Sequence, residues 1–216
     1  MRKRFLGAIV ALAVAAGAFA FSPDELNEVT IRNETGYEIL YLFFSPADSN
    51  FWGADILGAS RTFPSGDSIG FLIHYPEYCG AFDLLAIDED LDAYYMYDIE
   101  ICDDGAETVT ITFDSFDGEF GEPTFATVSL TNDLFNEIYY LFLSPADSEK
   151  WGVDVLDITT ILGPDDIAEF LVLRSSGVDE YDVLAIDDDY DLYRFRIEVD
   201  DTSHYSYLIE YSDMVF

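Results

Sequence analysis

Apolar and polar residues alternate with a period of two along much of this chain. Val109, Ile111 and Phe113 interleave with Thr108, Thr110 and Thr112, the pattern of a strand with one face buried. Tyr205, Tyr207, Ile209 and Tyr211 alternate with more polar partners in the same way. Two runs, Ile39 to Phe44 and Ile138 to Leu143, are apolar at consecutive positions, which predicts central strands covered on both faces. β-Branched and aromatic residues crowd these runs, and no stretch after residue 20 sustains a helical period. The pattern predicts an all-β fold, an antiparallel sandwich or small barrel. The exception is the stretch from Ser45-Pro46-Ala47-Asp48-Ser49 to Trp52-Gly53, whose capping residues suit a short helical turn.

The chain repeats itself at a spacing of 99 residues. Ser45 to Ser49 returns as Ser144-Pro145-Ala146-Asp147-Ser148, and Trp52-Gly53-x-Asp55-x-Leu57 returns as Trp151-Gly152-x-Asp154-x-Leu156. Aligned without a gap, residues 29–94 and 128–193 share 27 identities in 66 positions, so the module is duplicated. We read residues 21–117 as the first copy and 118–216 as the second, each of six or seven short strands. The segment Asp114 to Pro123, rich in Gly and acid, reads as a linker. Two other arrangements are a single barrel shared by both copies and an outer-membrane barrel ending at Phe216. The second fits poorly, because its strands would alternate apolar-out with polar-in, whereas the central runs here are apolar on both faces.

Charge sharpens the picture. The 216 residues carry 44 acids and 9 bases, a net charge of -35, together with 16% aromatics, far more than an acidic disordered tail holds. Residues 1–20 read as a signal peptide: Arg2, Lys3 and Arg4 precede an apolar stretch, and Ala18-Phe19-Ala20 forms a cleavage site. Cleavage there leaves 6 bases against 44 acids, and the product is expected in the periplasm or outside the cell. The chain after cleavage has no integral membrane span on this reading. So negative a surface repels nucleic acid and anionic lipid, leaving an envelope or extracellular protein or polymer as the expected partner.

Cys79 and Cys102 flank two strand-like runs around the acidic turn Asp88-Glu89-Asp90-Leu91-Asp92, which places them opposite each other across a hairpin. In an oxidising compartment this predicts a disulfide, which the second copy lacks. The acidic turn itself recurs, as Asp88, Asp90 and Asp92 and as Asp187, Asp189 and Asp191. Three alternate carboxylates suit a hard cation, so calcium is the metal these six residues suggest. Against it, Leu192 stands where a calcium loop has glycine, and Ile99 where the first copy would need its twelfth-position acid. The competing reading is a hairpin turn built from Asp because Asp caps its own backbone.

Trp52 and Trp151 suit either sugar stacking or core packing. Asp83 and Asp182 lie inside strand patterns and need hydrogen-bond partners, and Asp48 and Asp147 read as local backbone caps. Enzyme signatures are nearly missing. His74 and His204 do not correspond between copies, and no phosphate loop, His-x-x-His or Cys-x-x-Cys pattern is present. No catalytic or cofactor-binding residue is assigned, although 44 acids supply carboxylate pairs for a hydrolase almost anywhere.

Asn33-x-Thr35-Gly36, Ser45-Pro46-x-x-Ser49-x-x-Trp52-Gly53-x-Asp55-x-Leu57-Gly58 and Asp83-Leu84-x-Ala86-x-Asp88 resemble small exported bacterial β-modules with an N-x-T-G, S-P-x-x-S-x-x-W-G-x-D-x-L-G, Y-D-L-x-A-x-D pattern. The flanking cysteines of that pattern fall on Cys79 and Cys102. Copy two keeps the Ser-Pro and Trp-Gly cores but has Leu134-Phe135 in place of Thr-Gly. The resemblance implies an exported β-module and no activity. Some such modules carry the label argininosuccinate lyase, whose helical fold and Gly-Ser-Ser-x-Met-Pro-x-Lys signature this chain does not share. The expected function is that of an exported non-enzymatic binding or structural protein, with an envelope hydrolase or a calcium-dependent binding module as alternatives.

Overall fold

The structure is a computed structural model describing residues 25–75, 78–102, 107–148, 150–174, 179–200 and 204–215. The expected signal peptide, Val178 and Phe216 lie outside the described residues. Within them the chain is all-β, and no helix is long and apolar enough to cross a membrane.

The first copy supplies β1 (Leu26–Glu34), β2 (Ile39–Pro46), β3 (Ser68–His74), β4 (Cys79–Asp88), β5 (Asp92–Cys102), β6 (Glu107–Thr112) and β7 (Phe116–Glu119). One sheet contains β3-β1-β6 and the other runs β2-β4-β5-β7. Inward residues of both, among them Ile31, Phe71 and Ile111 from one and Leu42, Leu84 and Tyr94 from the other, form one buried core. This is a sandwich, with alternate residues of each strand pointing into it. The second copy repeats the arrangement with β8 (Phe125–Asn132), β9 (Ile138–Pro145), β11 (Ile167–Leu173), β12 (Asp179–Asp187), β13 (Leu192–Val199), β14 (His204–Ile209) and β15 (Met214–Val215). Its sheets are β11-β8-β14 and β15-β13-β12-β9.

Three features differ from the expectation. Most pairs are antiparallel, but β1 and β6 run parallel, as do β8 and β14. The chain reaches β6 and β14 by crossing from the other sheet rather than through a tight hairpin, so no local turn forces the antiparallel direction. The segment read as a linker is partly ordered pairing: a 3-10 turn, Phe113–Ser115, leads into β7, which lies along β5 at the sheet edge. In the Ser-Pro-Ala-Asp-Ser stretches Ser-Pro ends β2 and β9, and Ala-Asp follows as a simple turn, not a helical one.

The two sandwiches interlock. The short strand β10 (Gly152–Val153) belongs to the second copy in sequence but pairs with β3 of the first, and Ala54 pairs reciprocally with Val172 on β11. Val153 therefore sits in the first core and Ala54 in the second. Phe125 and Leu173 cover Phe43, Leu85 and Ile87 on the far face of β2 and β4, while Leu26 packs against Phe142, Leu184 and Ile186. Each module's central strands are apolar on both faces because the other module covers the second face.

Candidate functional site

The repeated motifs first build this interlock. After β2 the chain turns and carries Asp55 into the interior, where its Oδ1 accepts from the backbone N–H groups of Leu42 and Leu57, both at 3.0 Å. Asp154 repeats this with Leu141 at 3.0 Å and Leu156 at 3.1 Å. Both are fully buried, and Oδ2 of each has no partner among the described residues. Burial pushes both carboxyls up to about 7, against the pull of those backbone donors. Gly53 and Gly152 precede this turn with φ of +73° and +71°, and each abuts the proline of the other module, Pro145 and Pro46. A left-handed backbone pressed against a proline ring requires glycine. That explains why Trp-Gly and Ser-Pro recur together.

Asp48 and Asp147 do more than the local capping the sequence suggested, since their carboxylates reach across to the other module. Ser148 Oγ donates to Asp48 at 2.8 Å, and Ser49 Oγ donates to Asp147 at the same distance, so each carboxylate binds the opposite module. Asn50 adds backbone and side-chain donors to Asp147; although burial works the other way, these bonds hold its carboxyl below the ordinary range.

At the acidic hairpins the first aspartate of each triplet turns inward. Asp88 Oδ1 accepts from the backbone of Asp90 at 2.9 Å and of Asp92 at 3.0 Å, and its Oδ2 accepts from Tyr94 Oη at 2.9 Å. Asp187 makes the same three bonds, with Asp189, Asp191 and Tyr193. The two buried carboxylates thus organise their turns, and the hairpin tip takes the left-handed residues Leu91 and Tyr190. Neither triplet brings three carboxylates within 4.8 Å of one another among the described residues. Among the described residues the cluster that does meet that distance, Cys79, Glu100 and Cys102, has its sulfurs joined as a disulfide with Cα atoms 4.0 Å apart. The cysteines face each other in register at the open end of the β4–β5 hairpin. Toward the turn the register shifts by one at a bulge whose left-handed residue, Asp98, donates its N–H to Asp83 at 2.9 Å.

Exposed aromatic residues gather beside each hairpin. In the first module Phe113 and Phe116 stack at 5.2 Å, 56% and 39% exposed, with Phe116 edge-on to Tyr94. In the second, Phe135 and Tyr211 lie 6.2 Å apart, 90% and 45% exposed, with Tyr211 edge-on to Tyr193. Phe113 and Tyr211 each open the 3-10 turn before the last strand, so the two patches occupy the same place in the two modules. The alternating pattern placed Phe113 and Tyr211 on the buried faces of strands, but both lie in 3-10 turns past the strand ends and are exposed; Phe135, in place of Gly36, carried the remaining signal.

The tryptophans are half-buried and lie on the outer faces of β5 and β13. Trp52 contacts Tyr95, which stacks on Tyr97 at 5.7 Å. Trp151 instead lies under Arg194, whose guanidinium is 5.0 Å from the ring centre. Asp182, unlike Asp83, binds two arginines: Arg196 at 2.7 and 3.1 Å and Arg194 at 3.0 Å. Burial opposes ionisation there, but these arginines hold the Asp182 carboxyl below its usual range. No protein-family model matches the chain, and no curated protein matches it.

Proposed function

We propose that this chain is an exported, non-enzymatic binding protein whose two interlocked modules present paired contact surfaces to an envelope or extracellular polymer. The observation that carries the reading is the exposed aromatic patch at the same place in both modules, Phe113 with Phe116 and Phe135 with Tyr211. Exposed clustered aromatic rings are costly to leave in water and suit a partner with apolar faces, such as a sugar polymer. Two tethered patches raise avidity through effective concentration. A hydrolase would favour one carboxylate perturbed in one cleft. Here the buried raised carboxyls, Asp55 and Asp154, occur once in each module and serve backbone N–H groups. The disulfide and the basic start of the sequence support export. The net charge of -35 favours a neutral or basic polymer over an acidic one.

The test is co-sedimentation of residues 21–216 with insoluble envelope and extracellular polysaccharides. Binding is expected for wild type and should fall at least tenfold in the Phe113→Ser/Phe135→Ser variant. Equal binding by both, or none by wild type, would remove this reading.

A further inference from the structure

We infer that the second module carries a binding pocket for a compact carboxylate-bearing ligand, lined by Lys150, Trp151, Asp182, Arg194 and Arg196. The bases of the chain are concentrated here. The described residues contain six lysines and arginines, and three of them line this one pocket. In the first module Phe51, Tyr95 and Tyr97 stand at the corresponding positions, while the Ser-Pro-Ala turn, the tryptophan and the strand aspartate are kept. The duplicated frame was held while its lining turned cationic.

Donors and acceptors in the pocket are out of balance. Asp182 has both oxygens taken by Arg194 and Arg196, and Asp48 has one taken by Ser148 and the other 3.4 Å from the Lys150 ammonium. The hydroxyl hydrogens of Ser144 and Ser148 are donated to Trp151 O and Asp48. The carboxylate oxygens of the pocket thus each have a partner, and neither hydroxyl has a hydrogen left to donate. Donors remain: Arg194 engages a partner through Nη2 alone, Lys150 makes one long ion pair, and Trp151 Nε1 has no hydrogen bond among the described residues. A pocket with surplus cationic donors and occupied carboxylates favours a ligand that brings charged acceptors, and a carboxylate matches an arginine fork. Stacking on Trp151 and the bond to Asp182 hold the Arg194 guanidinium in one plane, so little freedom is lost on binding. Asp182 and Asp48 cancel part of the positive charge. Recognition therefore rests on directed hydrogen bonds rather than on bulk attraction, as a chain of net charge -35 requires.

The pocket is separate from the aromatic patches, so its test stands apart from theirs. Tryptophan fluorescence of a Trp52→Phe variant reports Trp151 alone in the chain. Titrated with galacturonate in 0.15 M salt, it should change saturably, and titrated with galactose it should not. Arg194→Gln should weaken galacturonate binding by ~10-fold or more, the loss of one charge-assisted hydrogen bond. Should Arg194→Gln fail to fold, Lys150→Gln carries the same expectation. Equal responses to galactose and galacturonate, undiminished binding in a folded variant, or no saturable response to galacturonate would each overturn the assignment. Succinate as a second titrant separates a general carboxylate site, which it would occupy, from one requiring the sugar acid, which it would not; either outcome keeps the carboxylate class.

Discussion

The backbone N–H of Asp55 in the first module donates to the carbonyl of Leu171 in the second at 2.7 Å, and Asp154 donates to Leu72 at 2.8 Å. These bonds cross between modules and are related by the 99-residue repeat. Each module lends the other a strand segment, so neither sheet is complete within its own copy.

It follows that residues 25–119 expressed alone should not form a stable monomer. They should pair as a symmetric dimer through their own Ala54 segments, because Ala54 stands where Val153 stands in the second copy and can pair with β3 of another chain. Light scattering across a concentration series checks this. A folded monomer at micromolar concentration would contradict it.

Stability should depend on pH through the buried pair. Burial raises the Asp55 and Asp154 carboxyls from 3.8 to about 7, so the folded state binds these protons more tightly than the unfolded chain. Their contribution is complete below the unfolded value and is lost as pH rises through about 7. Urea unfolding should thus show stability declining from pH 5 to pH 8, by on the order of a few kcal/mol. The Asp55→Asn/Asp154→Asn variant should lose that part of the slope. An unchanged slope would refute the assignment.

Gly152→Ala should destabilise more than an ordinary surface Gly→Ala. A Cβ there meets Pro46 at 3.2 Å in a backbone of φ +71°, and the left-handed backbone alone costs roughly 1–2 kcal/mol. Gly66, also at positive φ but with nothing within 4 Å of a Cβ, is the control that separates contact from backbone strain. Denaturant midpoints of the two variants compare the effects.

Asp88→Ala should cost far more stability than Asp90→Ala, because Asp88 is buried and serves two backbone donors and Tyr94. A loss of ~3 kcal/mol or more is expected where several buried donors lose their acceptor. With that carboxylate already engaged, millimolar calcium or EGTA should leave the melting temperature unmoved. A calcium-dependent rise would restore the metal reading of the acidic triplets.

Reducing the Cys79–Cys102 bridge should lower stability by about 3 kcal/mol on the chain-entropy account. Thermal melts of the Cys79→Ser/Cys102→Ser variant check the magnitude. No change in melting temperature would show that the interlock already constrains that hairpin.

Local pattern was enough for much of this molecule. Period-two alternation marked β6 and β14, continuous apolar runs marked β2 and β9, and facing cysteines on a hairpin marked the disulfide. The duplication too was legible, since identity at fixed spacing is a property of sequence alone. Three things were not. Asp48 and Asp147 read as local caps because their nearest backbone is local, whereas their partners lie about 100 residues away. The exposed aromatic patches draw on residues such as Phe135 and Tyr211, far apart in sequence and joined by the return of the last strand. The cationic pocket needs the outer face of β13, the turn after β9 and Asp48 from the other module.

By itself, then, the sequence determined most of the strands, the repeat and the staple, because these follow from side-chain periodicity and the pairing of neighbours along a hairpin. Only the tertiary structure decided that the two modules exchange segments, that Asp88 and Asp187 spend their carboxylates inward, and that three cations meet beside Trp151. Those outcomes depend on which distant surfaces pack together. Burial and the demand that every buried polar group find a partner settle that only once the whole chain is folded.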